Sequence, residues 1–388
     1  MSLGTTTPHW SATNGTAPEA LGVVPFVALE RQHAALGHEL AAAFDRVVNS
    51  SAFILGDEVA RFEAEFAATC GVAECVGVAS GTAALALAMK AAGIGPGDEV
   101  IVPAHTFIAS VLGVLHAGAT PVFCDVEPGT GLIDPDCAAA VLTQRTAAIL
   151  AVHLYGQACE MDALCALARR HGVLVVEDAA QAHGSTYRGR SVGALGTVAA
   201  FSFYPTKNLG ALGDAGAVCT DDAEIARRAR RLRDLGQRRK GEHVEVGFNE
   251  RLDGLQAAFL RAKLPHLDTA NRARREHAAA YRHGLTGLRL LEERDHTPSV
   301  NHLFPVRVDD RDAARAHLAA RGIETGVHYM PAAHEHPAWD AILPPPPMDL
   351  PAARAWAREE LSLPMFAELR PAEIERVIEA CAELRVEW

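Results

Sequence analysis

Lysine is scarce in this chain of 388 residues, where lysine and arginine together number 36. The sequence contains lysine at four positions only: Lys90, Lys207, Lys240 and Lys263. Heavy use of alanine, arginine and glycine is typical of a GC-rich genome, so the scarcity by itself indicates no function. It does shorten the list of amine nucleophiles, because any lysine chemistry must fall on one of these four side chains.

Positive charge is also in deficit, and the formal net charge of −12 argues against a general nucleic-acid-binding protein. An anionic small molecule is not excluded, since one arginine or one helix N-terminus can bind it.

None of the eight cysteines forms a Cys-x-x-Cys pair. No stretch approaches the ~20 apolar residues of a membrane span. Residues 1–18 are polar and carry no signal peptide, so we expect a cytoplasmic protein with reduced thiols.

Apolar strands alternate with helices through the middle of the chain. The predicted strands are Glu74–Ala79, Glu99–Pro103, Pro121–Val126, Ala147–Leu154, Val173–Asp178, Val198–Tyr204 and Gly216–Thr220. Strands that are apolar throughout and separated by helices predict a mostly parallel sheet covered on both faces. We therefore expect a flexible segment at residues 1–22 and a large α/β domain at residues 23–262.

A smaller α+β domain is expected at residues 263–388, because the chain is long for a single core. Strands are predicted at His302–Val308 and Glu324–Tyr329, with a helix between them. Two further helices, Leu350–Leu361 and Pro371–Leu384, are predicted to close the chain.

Ligands of open α/β sheets bind at the carboxyl ends of the strands, and the first of these ends is followed by Ser80-Gly81-Thr82. Gly81 would let a ligand approach the backbone, and Thr82 can cap the next helix. The free N–H groups there favour an anion such as phosphate. A plain helix cap is the commoner explanation of this tripeptide taken alone.

Asp178 ends another buried strand. A carboxylate in that position needs a partner, or its pKa rises. The pyridinium N–H of pyridoxal 5′-phosphate (PLP) would be such a partner, because an aspartate there keeps the ring an electron sink. A helix-capping aspartate and a buried ion pair explain this segment equally well.

Lys207 lies between an apolar strand and a glycine-bearing loop, within Phe201–Gly216. A partly buried lysine can have a lowered pKa and can form an imine with a carbonyl group. A lone loop lysine is ordinarily a solvated surface charge, but the apolar flanks argue against that explanation here.

Several long segments resemble the fold-type I, DegT/StrS-type nucleotide-sugar aminotransferases, over roughly residues 24–385. They are SGTAALALA at 80–88, EVIVPAHTFIAS at 99–110, VHLYGQACEMDAL at 152–164, VEDAAQAHG at 176–184, FSFYPTKNLGALGDAGAV at 201–218 and RLDGLQAAFLRAKLPHLDTAN at 251–271. The resemblance implies an α/β PLP transferase. Its large domain would hold a mostly parallel mixed sheet sandwiched by helices, and a smaller α+β domain would follow.

The resemblance also implies which residues bind the ring of PLP. Lys207 would carry the cofactor covalently and, once released, would move a proton between substrate and cofactor. Asp178 would bind the pyridine nitrogen, and Gln181 would lie near the ring hydroxyl. Phe107 would stack on the ring face.

The phosphate of PLP, by the same resemblance, would be held by Gly81, Thr82 and Ser202. Asn249 matches a residue that reaches the phosphate from the neighbouring subunit, so a homodimer with a shared active site is implied. Glu250 departs from the small or aromatic residue expected beside it, which could alter the local electrostatics.

The implied reaction takes an amino group from L-glutamate and gives it to a keto group of a nucleotide-linked sugar. The segments HLYGQ, EDAAQAHG and SFYPTKNLG resemble actinobacterial enzymes that aminate a dTDP-3-keto-6-deoxyhexose for antibiotic glycosylation. Amination at C4, or of an aminocyclitol ketone, remains open because motifs do not report the shape of the pocket.

Candidates for the sugar site are His183, His328 and Tyr329. A packed core histidine explains His183 equally well. The basic segment Arg238–Lys240 is either a solvated surface or a contact for a diphosphate.

Three alternatives conflict with particular residues. A PLP-dependent sugar dehydratase of this fold would carry histidine in place of Lys207. A non-catalytic regulatory protein would be expected to lose Lys207, Asp178 or the phosphate site. An NAD-binding enzyme would need a G-x-G-x-x-G motif after a strand, and the sequence has none.

Overall fold

The structure is a computed structural model that describes residues 22–384. The segment predicted to be flexible, residues 1–22, lies outside the described residues except for Gly22. The α-helices are α1 (Leu29–Ala35), α2 (Gly37–Ser50), α3 (Asp57–Cys70), α4 (Gly81–Ala91), α5 (Ile108–Ala117), α6 (Pro135–Ala140), α7 (Met161–His171), α8 (Ala223–Arg233), α9 (Gly254–Lys263), α10 (Leu267–Gly284), α11 (Arg311–Ala320), α12 (Pro351–Glu359) and α13 (Pro371–Ala382).

Within residues 22–384, the strands fall into one large sheet and three small ones. They are β1 (Glu74–Val78), β2 (Glu99–Pro103), β3 (Thr120–Cys124), β4 (Thr146–Val152), β5 (Leu174–Asp178), β6 (Thr186–Tyr187), β7 (Arg190–Ser191), β8 (Val198–Ser202), β9 (Gly216–Thr220), β10 (Gln237–Arg239), β11 (Glu242–His243), β12 (Arg289–Leu290), β13 (Phe304–Arg307) and β14 (Glu360–Leu363).

The central sheet has seven strands in the order β1-β9-β8-β5-β4-β2-β3. All neighbouring strands in it are parallel except β9, which runs antiparallel to both β1 and β8. The prediction of a mostly parallel mixed sheet is therefore confirmed. Val78 at the end of β1 and Ser202 at the end of β8 both lie opposite Gly216. The carboxyl ends of β1 and β8 thus meet at one edge of the sheet.

The strands of this sheet are buried on both faces because helices cover them. Every residue of β2 is buried, which explains why its sequence shows no alternation of polar and apolar side chains. Helix α4 packs against α5, α8 and four of the strands, chiefly β8 and β9, and its side chains are buried around most of its circumference. No helix in the described part of the chain is both long and apolar enough to cross a membrane.

A second hydrophobic core is built from residues of α10, β13, α11, β14 and α13, together with Val24 and Ala28 near the start of the described chain. The strands β12, β13 and β14 form an antiparallel sheet beside it. The division at residues 262 and 263 stays a prediction.

Two secondary-structure predictions in this second unit are wrong. The helix predicted for Leu350–Leu361 ends at Glu359, and Glu360–Leu363 is a strand. Leu361 and Leu363 alternate into the second core, and residues 360–363 pair with β13 instead of continuing the helix. The strand predicted for Glu324–Tyr329 is reduced to one bridge between Gly326 and Ser362.

For the region after Asp221 the sequence predicts long, arginine-rich helices up to about His283, and the structure adds the small hairpin β10–β11 there. The chain turns there at Gly241, which has a φ of +81° that few other residues adopt. Sequence periodicity did not reveal this hairpin because its strands are two and three residues long.

The contact between α4 and α5 generates a test of the packing. A Cβ at Gly113 would lie 2.5 Å from the Cβ of Leu85. We expect Gly113→Val to lower the free energy of unfolding by about 1–3 kcal/mol, because the helices must separate. Urea unfolding followed by circular dichroism measures this. Gly37→Val is the control, since nothing lies within 4 Å of that position. Equal stability of the two variants would contradict the packing.

Candidate active site

A cavity of about 510 Å³ opens at the edge of the central sheet where β1, β5 and β8 end. Its far wall comes from the part of the chain after residue 262, called the second unit here, and includes His302 and Met365. Most of the site residues predicted from the sequence line it: Gly81, Thr82, Phe107, Asp178, Gln181, Ser202, Lys207, His328 and Tyr329. The topology thus brings together segments that are more than two hundred residues apart.

The N-terminus of α4 forms one end of the cavity. Ser80 caps this helix, since its hydroxyl oxygen accepts a hydrogen bond from the N–H of Ala83 at 3.1 Å. The expectation that Thr82 supplies the cap is therefore wrong. Because the cap is made by Ser80, the hydroxyl of Thr82 stays available to a ligand, as do the first N–H groups of the helix.

Gly81 is required at this end by lack of space. A Cβ there would lie 2.5 Å from the Cβ of Ser202, and a Cβ at Gly216 would lie 2.3 Å from the carbonyl oxygen of Ser80. The loops after β1 and β8 therefore approach each other more closely than side chains would allow. Hydroxyl groups and helix N–H groups converge here, an arrangement that suits a phosphate.

Asp178 lies at the end of β5, where only 6% of its surface is exposed. Its Oδ2 accepts a hydrogen bond from the Ser110 hydroxyl at 2.7 Å, and its Oδ1 accepts one from the N–H of Ala180 at 3.2 Å. Burial raises the pKa of the Asp178 carboxyl, while these hydrogen bonds lower it. No arginine, lysine or histidine within residues 22–384 forms an ion pair with it. The carboxylate can thus accept a charged N–H from a ligand in the cavity.

Lys207 follows β8, and its backbone N–H donates to the carbonyl of Tyr204 at 2.8 Å. Removal of its ammonium group from water lowers the pKa of Lys207 to about 8, although the charge of Asp178 acts in the opposite direction. A larger fraction of this amine is therefore neutral near pH 7 than for a lysine in water. The neutral amine is the form that attacks a carbonyl.

The Lys207 amine lies 3.5 Å from Nε2 of His302, a residue that sequence reasoning missed. Burial lowers the pKa of His302, and the charge of Lys207 lowers it further. The neutral ring must therefore carry its single proton on one nitrogen or the other.

Two asparagines decide which nitrogen of His302 carries the proton. The carbonyl of His183 can only accept, so Nδ2 of Asn271 donates to it at 2.8 Å. Oδ1 of Asn271 then accepts from Nδ2 of Asn208 at 2.8 Å, which leaves Oδ1 of Asn208 to accept from Nδ1 of His302 at 3.0 Å. The proton is on Nδ1, so Nε2 presents a lone pair to the Lys207 amine.

Gln181 is held in one orientation by the backbone. Its Oε1 accepts from the N–H of Tyr155 at 2.6 Å, so its Nε2 donates to the hydroxyl of Tyr329 at 2.8 Å. The Tyr329 hydroxyl proton remains available to the cavity. Phe107 stands beside Tyr329, with ring centroids 5.0 Å apart, and presents an aromatic surface to a planar ligand.

His183 does not line the cavity. It is fully buried, and its ring lies 5.4 Å from Phe201 and 5.5 Å from Phe203, centroid to centroid. The structure thus favours the packed core histidine over a contact with the sugar. Its link to the site is its backbone carbonyl, which anchors Asn271.

Asn249 does not line the cavity of its own chain either. It is exposed, and its Oδ1 accepts from Arg251 at 2.5 Å. Burial raises the pKa of Glu250 beside it, whose carbonyl accepts from the N–H of Ala79 at the end of β1.

The basic segment Arg238–Lys240 forms part of the hairpin, also away from the cavity lining. Arg238 and Arg239 both pair with Glu242.

The residues around the cavity fit PLP. One end suits a phosphate, a buried carboxylate without an ion-pair partner in the described chain suits the ring N–H, and an amine of lowered pKa suits the aldehyde. The fold and the site together define a PLP-dependent aminotransferase of fold type I.

Comparison with known proteins identifies the family. The sequence profile of the DegT/DnrJ/EryC1/StrS aminotransferase family matches residues 34–382, and the chain belongs to this family. Aminotransferases of this family depend on PLP.

Individual relatives span nearly the whole chain. A dTDP-3-amino-3,4,6-trideoxy-alpha-D-glucose transaminase of Streptomyces venezuelae is 50% identical over 363 residues, covering 93% of this chain and 96% of the relative. The crystal structure of S. venezuelae DesV in complex with a ketimine intermediate superposes with a TM-score of 0.91 at 49% identity, covering 95% of this chain and all of that one. A pleiotropic regulatory protein of Geobacillus stearothermophilus is 44% identical over 371 residues, covering 93% of this chain and 98% of the relative.

The site predicts which lysine carries the cofactor. Incubation with PLP followed by borohydride should add the reduced cofactor to the peptide that contains Lys207. Lys263 is the sharpest competitor, because burial lowers its pKa to about 8 as well, although it does not line the cavity. We expect Lys207→Ala to abolish the mass increase and Lys263→Arg to leave it unchanged. Labelling of Lys263 in the wild-type protein would overturn the assignment.

Proposed function

We propose that this aminotransferase moves the amino group of L-glutamate to the C3 keto group of a dTDP-linked 3-keto-6-deoxyhexose, in deoxyaminosugar biosynthesis. The observation that carries the chemistry is the convergence of Lys207, Asp178 and the Gly81–Ser202 contact on one cavity. The sugar is supported by the 50% identical relative, named as a transaminase of such a dTDP-sugar.

PLP, when bound, withdraws electrons from the substrate carbon that exchanges its proton. Lys207 would take that proton and return it, because its lowered pKa makes the amine both a usable base and a usable acid near neutral pH. His302 would hold the amine through its lone pair while the proton is exchanged. Asp178 would accept the ring N–H and keep it protonated.

The sugar would enter along the wall made by the second unit. His328 and Tyr329 line the cavity there and offer a ring nitrogen and a hydroxyl group to sugar oxygens. The alternatives are a 4-keto sugar and an aminocyclitol ketone, which the same groups could bind.

Asp178→Asn tests the electrostatic role of the carboxylate. The amide cannot stabilise a protonated ring nitrogen, so we expect the rate of PLP conversion by L-glutamate to fall about 100- to 1,000-fold. Stopped-flow absorbance of the cofactor measures that rate. The borohydride-trapped adduct on Lys207 should persist, which separates lost chemistry from lost binding. A rate within a factor of about three of wild type would contradict the role.

The sugar specificity can be read directly from product mass. We expect the purified protein, given PLP and L-glutamate, to convert a dTDP-3-keto-6-deoxyhexose to the amino sugar. The corresponding 4-keto sugar and an aminocyclitol ketone serve as comparison substrates. Preferential conversion of the 4-keto sugar would move the assignment to C4. If wild-type protein reacts with glutamate but with no sugar, the sugar assignment fails.

We further propose a cytoplasmic homodimer in which each subunit completes the other's active site. Asn249 is exposed outside the cavity of its own chain, as a residue acting on a neighbouring subunit would be. Helix α2 and the loop after it also expose a group of apolar side chains suited to an interface: Phe44, Val48, Phe53 and Ile54. A role in antibiotic glycosylation and the division into domains at residues 23–262 and 263–388 belong to the same proposal.

Hybrid dimers test the shared site. When Lys207→Ala and Asn249→Ala chains are co-expressed with different tags, each hybrid would contain one fully intact site. The purified hybrid should therefore show about half the wild-type activity per dimer, while both parent dimers are impaired. If Asn249 acts within its own chain, the hybrid has no intact site and stays as inactive as its parents.

The name of the 44% identical relative raises a regulatory role as the alternative of a different class. Binding without turnover would be its signature, but Lys207, Asp178 and Gly81, which such a protein would be expected to lose, are present here and line one cavity.

A further inference from the structure

Glu360 is a buried acid that the reaction described above does not use. It lies in β14 with no exposed surface, behind the cavity wall. No ion pair is formed by its carboxyl group within residues 22–384. The nearby Arg311 is engaged elsewhere, since its Nη1 donates to the carbonyl of Ala357 and its Nη2 contacts the sulfur of Met330. An ionised acid without a countercharge in the core is costly, so burial favours the protonated, neutral form of this carboxyl group.

Hydrogen bonds connect this acid to the cavity. Oε2 of Glu360 accepts from the backbone N–H of His328 at 2.6 Å, and Oε1 lies 2.5 Å from the hydroxyl of Ser362. The same hydroxyl lies 2.8 Å from Nδ1 of His328. The other ring nitrogen, Nε2, has no hydrogen-bond partner among the described residues, and the ring lines the cavity.

The carbonyl of His328 is fixed as well, because the hydroxyl of Tyr155 donates to it at 2.5 Å. The ring stacks against Phe26, with centroids 5.6 Å apart. His328 is therefore held on both sides, so its proton arrangement can change without movement of the ring.

Glu360 and His328, the two ends of this row of hydrogen bonds, differ in their affinity for protons. Burial raises the pKa of Glu360 to about 8. Burial, and then the charge of Lys207, lowers the pKa of His328 to about 4. Glu360 interacts electrostatically with Arg311, Tyr155 and Tyr329, and the ring of His328 does so with Lys207 and His302. Near neutral pH the ring of His328 is therefore neutral, and the carboxyl group of Glu360 is largely protonated.

We infer that Glu360 and Ser362 form a proton relay that ends at Nε2 of His328 and supplies a proton to the oxygen that leaves the sugar carbon as water. The inference rests on the proposed sugar substrate. Before the transfer, the relay holds its proton on Glu360, and we call this the loaded state. The protonated carboxyl group of Glu360 then donates to the hydroxyl of Ser362, this hydroxyl donates to Nδ1 of His328, and Nε2 of His328 carries hydrogen.

The transfer balances without any further reactant. The Nε2–H bond breaks as the new O–H bond forms on the leaving oxygen. Nδ1 takes the proton of Ser362, and Ser362 takes the proton of Glu360, which becomes a carboxylate. A proton from solvent or from the substrate ammonium reloads the relay by the reverse shifts.

The state of the ring can be measured without any substrate. In protein with ¹⁵N-labelled histidine, nitrogen NMR reports which ring nitrogen of His328 carries hydrogen, and His328→Gln identifies the signal among the 18 histidines. We expect hydrogen on Nε2 below the pKa of Glu360 and on Nδ1 above it. Glu360→Gln should lock hydrogen on Nε2 at every pH at which the ring is neutral, because its amide donates to Ser362. A ring that keeps one form in the wild type, or still switches in Glu360→Gln, overturns the relay.

Kinetics test the use of the relay. Glu360→Gln and Ser362→Ala should slow the half-reaction with the keto-sugar by about 100-fold and leave the half-reaction with L-glutamate unchanged. Ser185→Ala is the control, since Ser185 is an equally buried serine outside the cavity lining. Equal slowing of both half-reactions would show a structural role only and would overturn the proposal. If wild-type protein aminates no sugar, the proposed function fails, while the NMR result still decides whether the relay exists.

Discussion

The site depends on a steric constraint at the edge of the central sheet, where two loops meet with no room for a methyl group between them. Strand β9 runs antiparallel to β1 and β8, so its first residue, Gly216, lies opposite the last residues of both. Gly81 then approaches Ser202 at a distance that excludes a Cβ. This contact sets the position of the helix N-terminus relative to β8, and therefore relative to Lys207, which follows that strand.

The pKa values of the groups in and behind the cavity wall are set mainly by their burial. Asp178, Glu360, Lys207, His302 and His328 all have pKa values shifted toward the neutral form, with loss of water as the main cause. Each charge that the reaction needs is therefore created by a bound ligand or by a proton transfer within the cavity. A site built in this way responds strongly to a charged cofactor, because little solvent is present to screen it.

Sequence reasoning predicted the sheet and most of the residues that line the cavity because these depend on local signals. Apolar strands followed by Ser80-Gly81-Thr82, Asp178 or Lys207 can be recognised from the order of residues alone. The resemblance to the family then supplied the expected roles of these residues. The cap by Ser80 instead of Thr82 was missed because both residues can cap a helix, and only backbone geometry selects one.

His302 and the groups behind the cavity wall could not be predicted in the same way. His302, Asn208 and Asn271 meet only after the chain has folded, and no motif links them. Glu360 was obscured by the helix predicted for Leu350–Leu361, and Ser362 lies just beyond the end of that helix. An isolated polar residue in an apolar strand signals a buried acid only when the neighbouring segment, here His328, is known to lie beside it.

The amides of Asn208 and Asn271 give the interior a polarity that no single contact reveals. Each amide has one end that donates and one that accepts, and the row starts from a carbonyl in the aromatic core. The backbone carbonyl at residue 183 therefore sets the donor-to-acceptor direction of the whole row. The row ends at His302, whose Nε2 faces the Lys207 amine. An aspartate at position 208 would place a carboxylate against the carbonyl oxygens of Asn271 and Val300, and the row would lose its direction. A core residue outside the cavity lining thus governs the orientation of a lone pair in the active site.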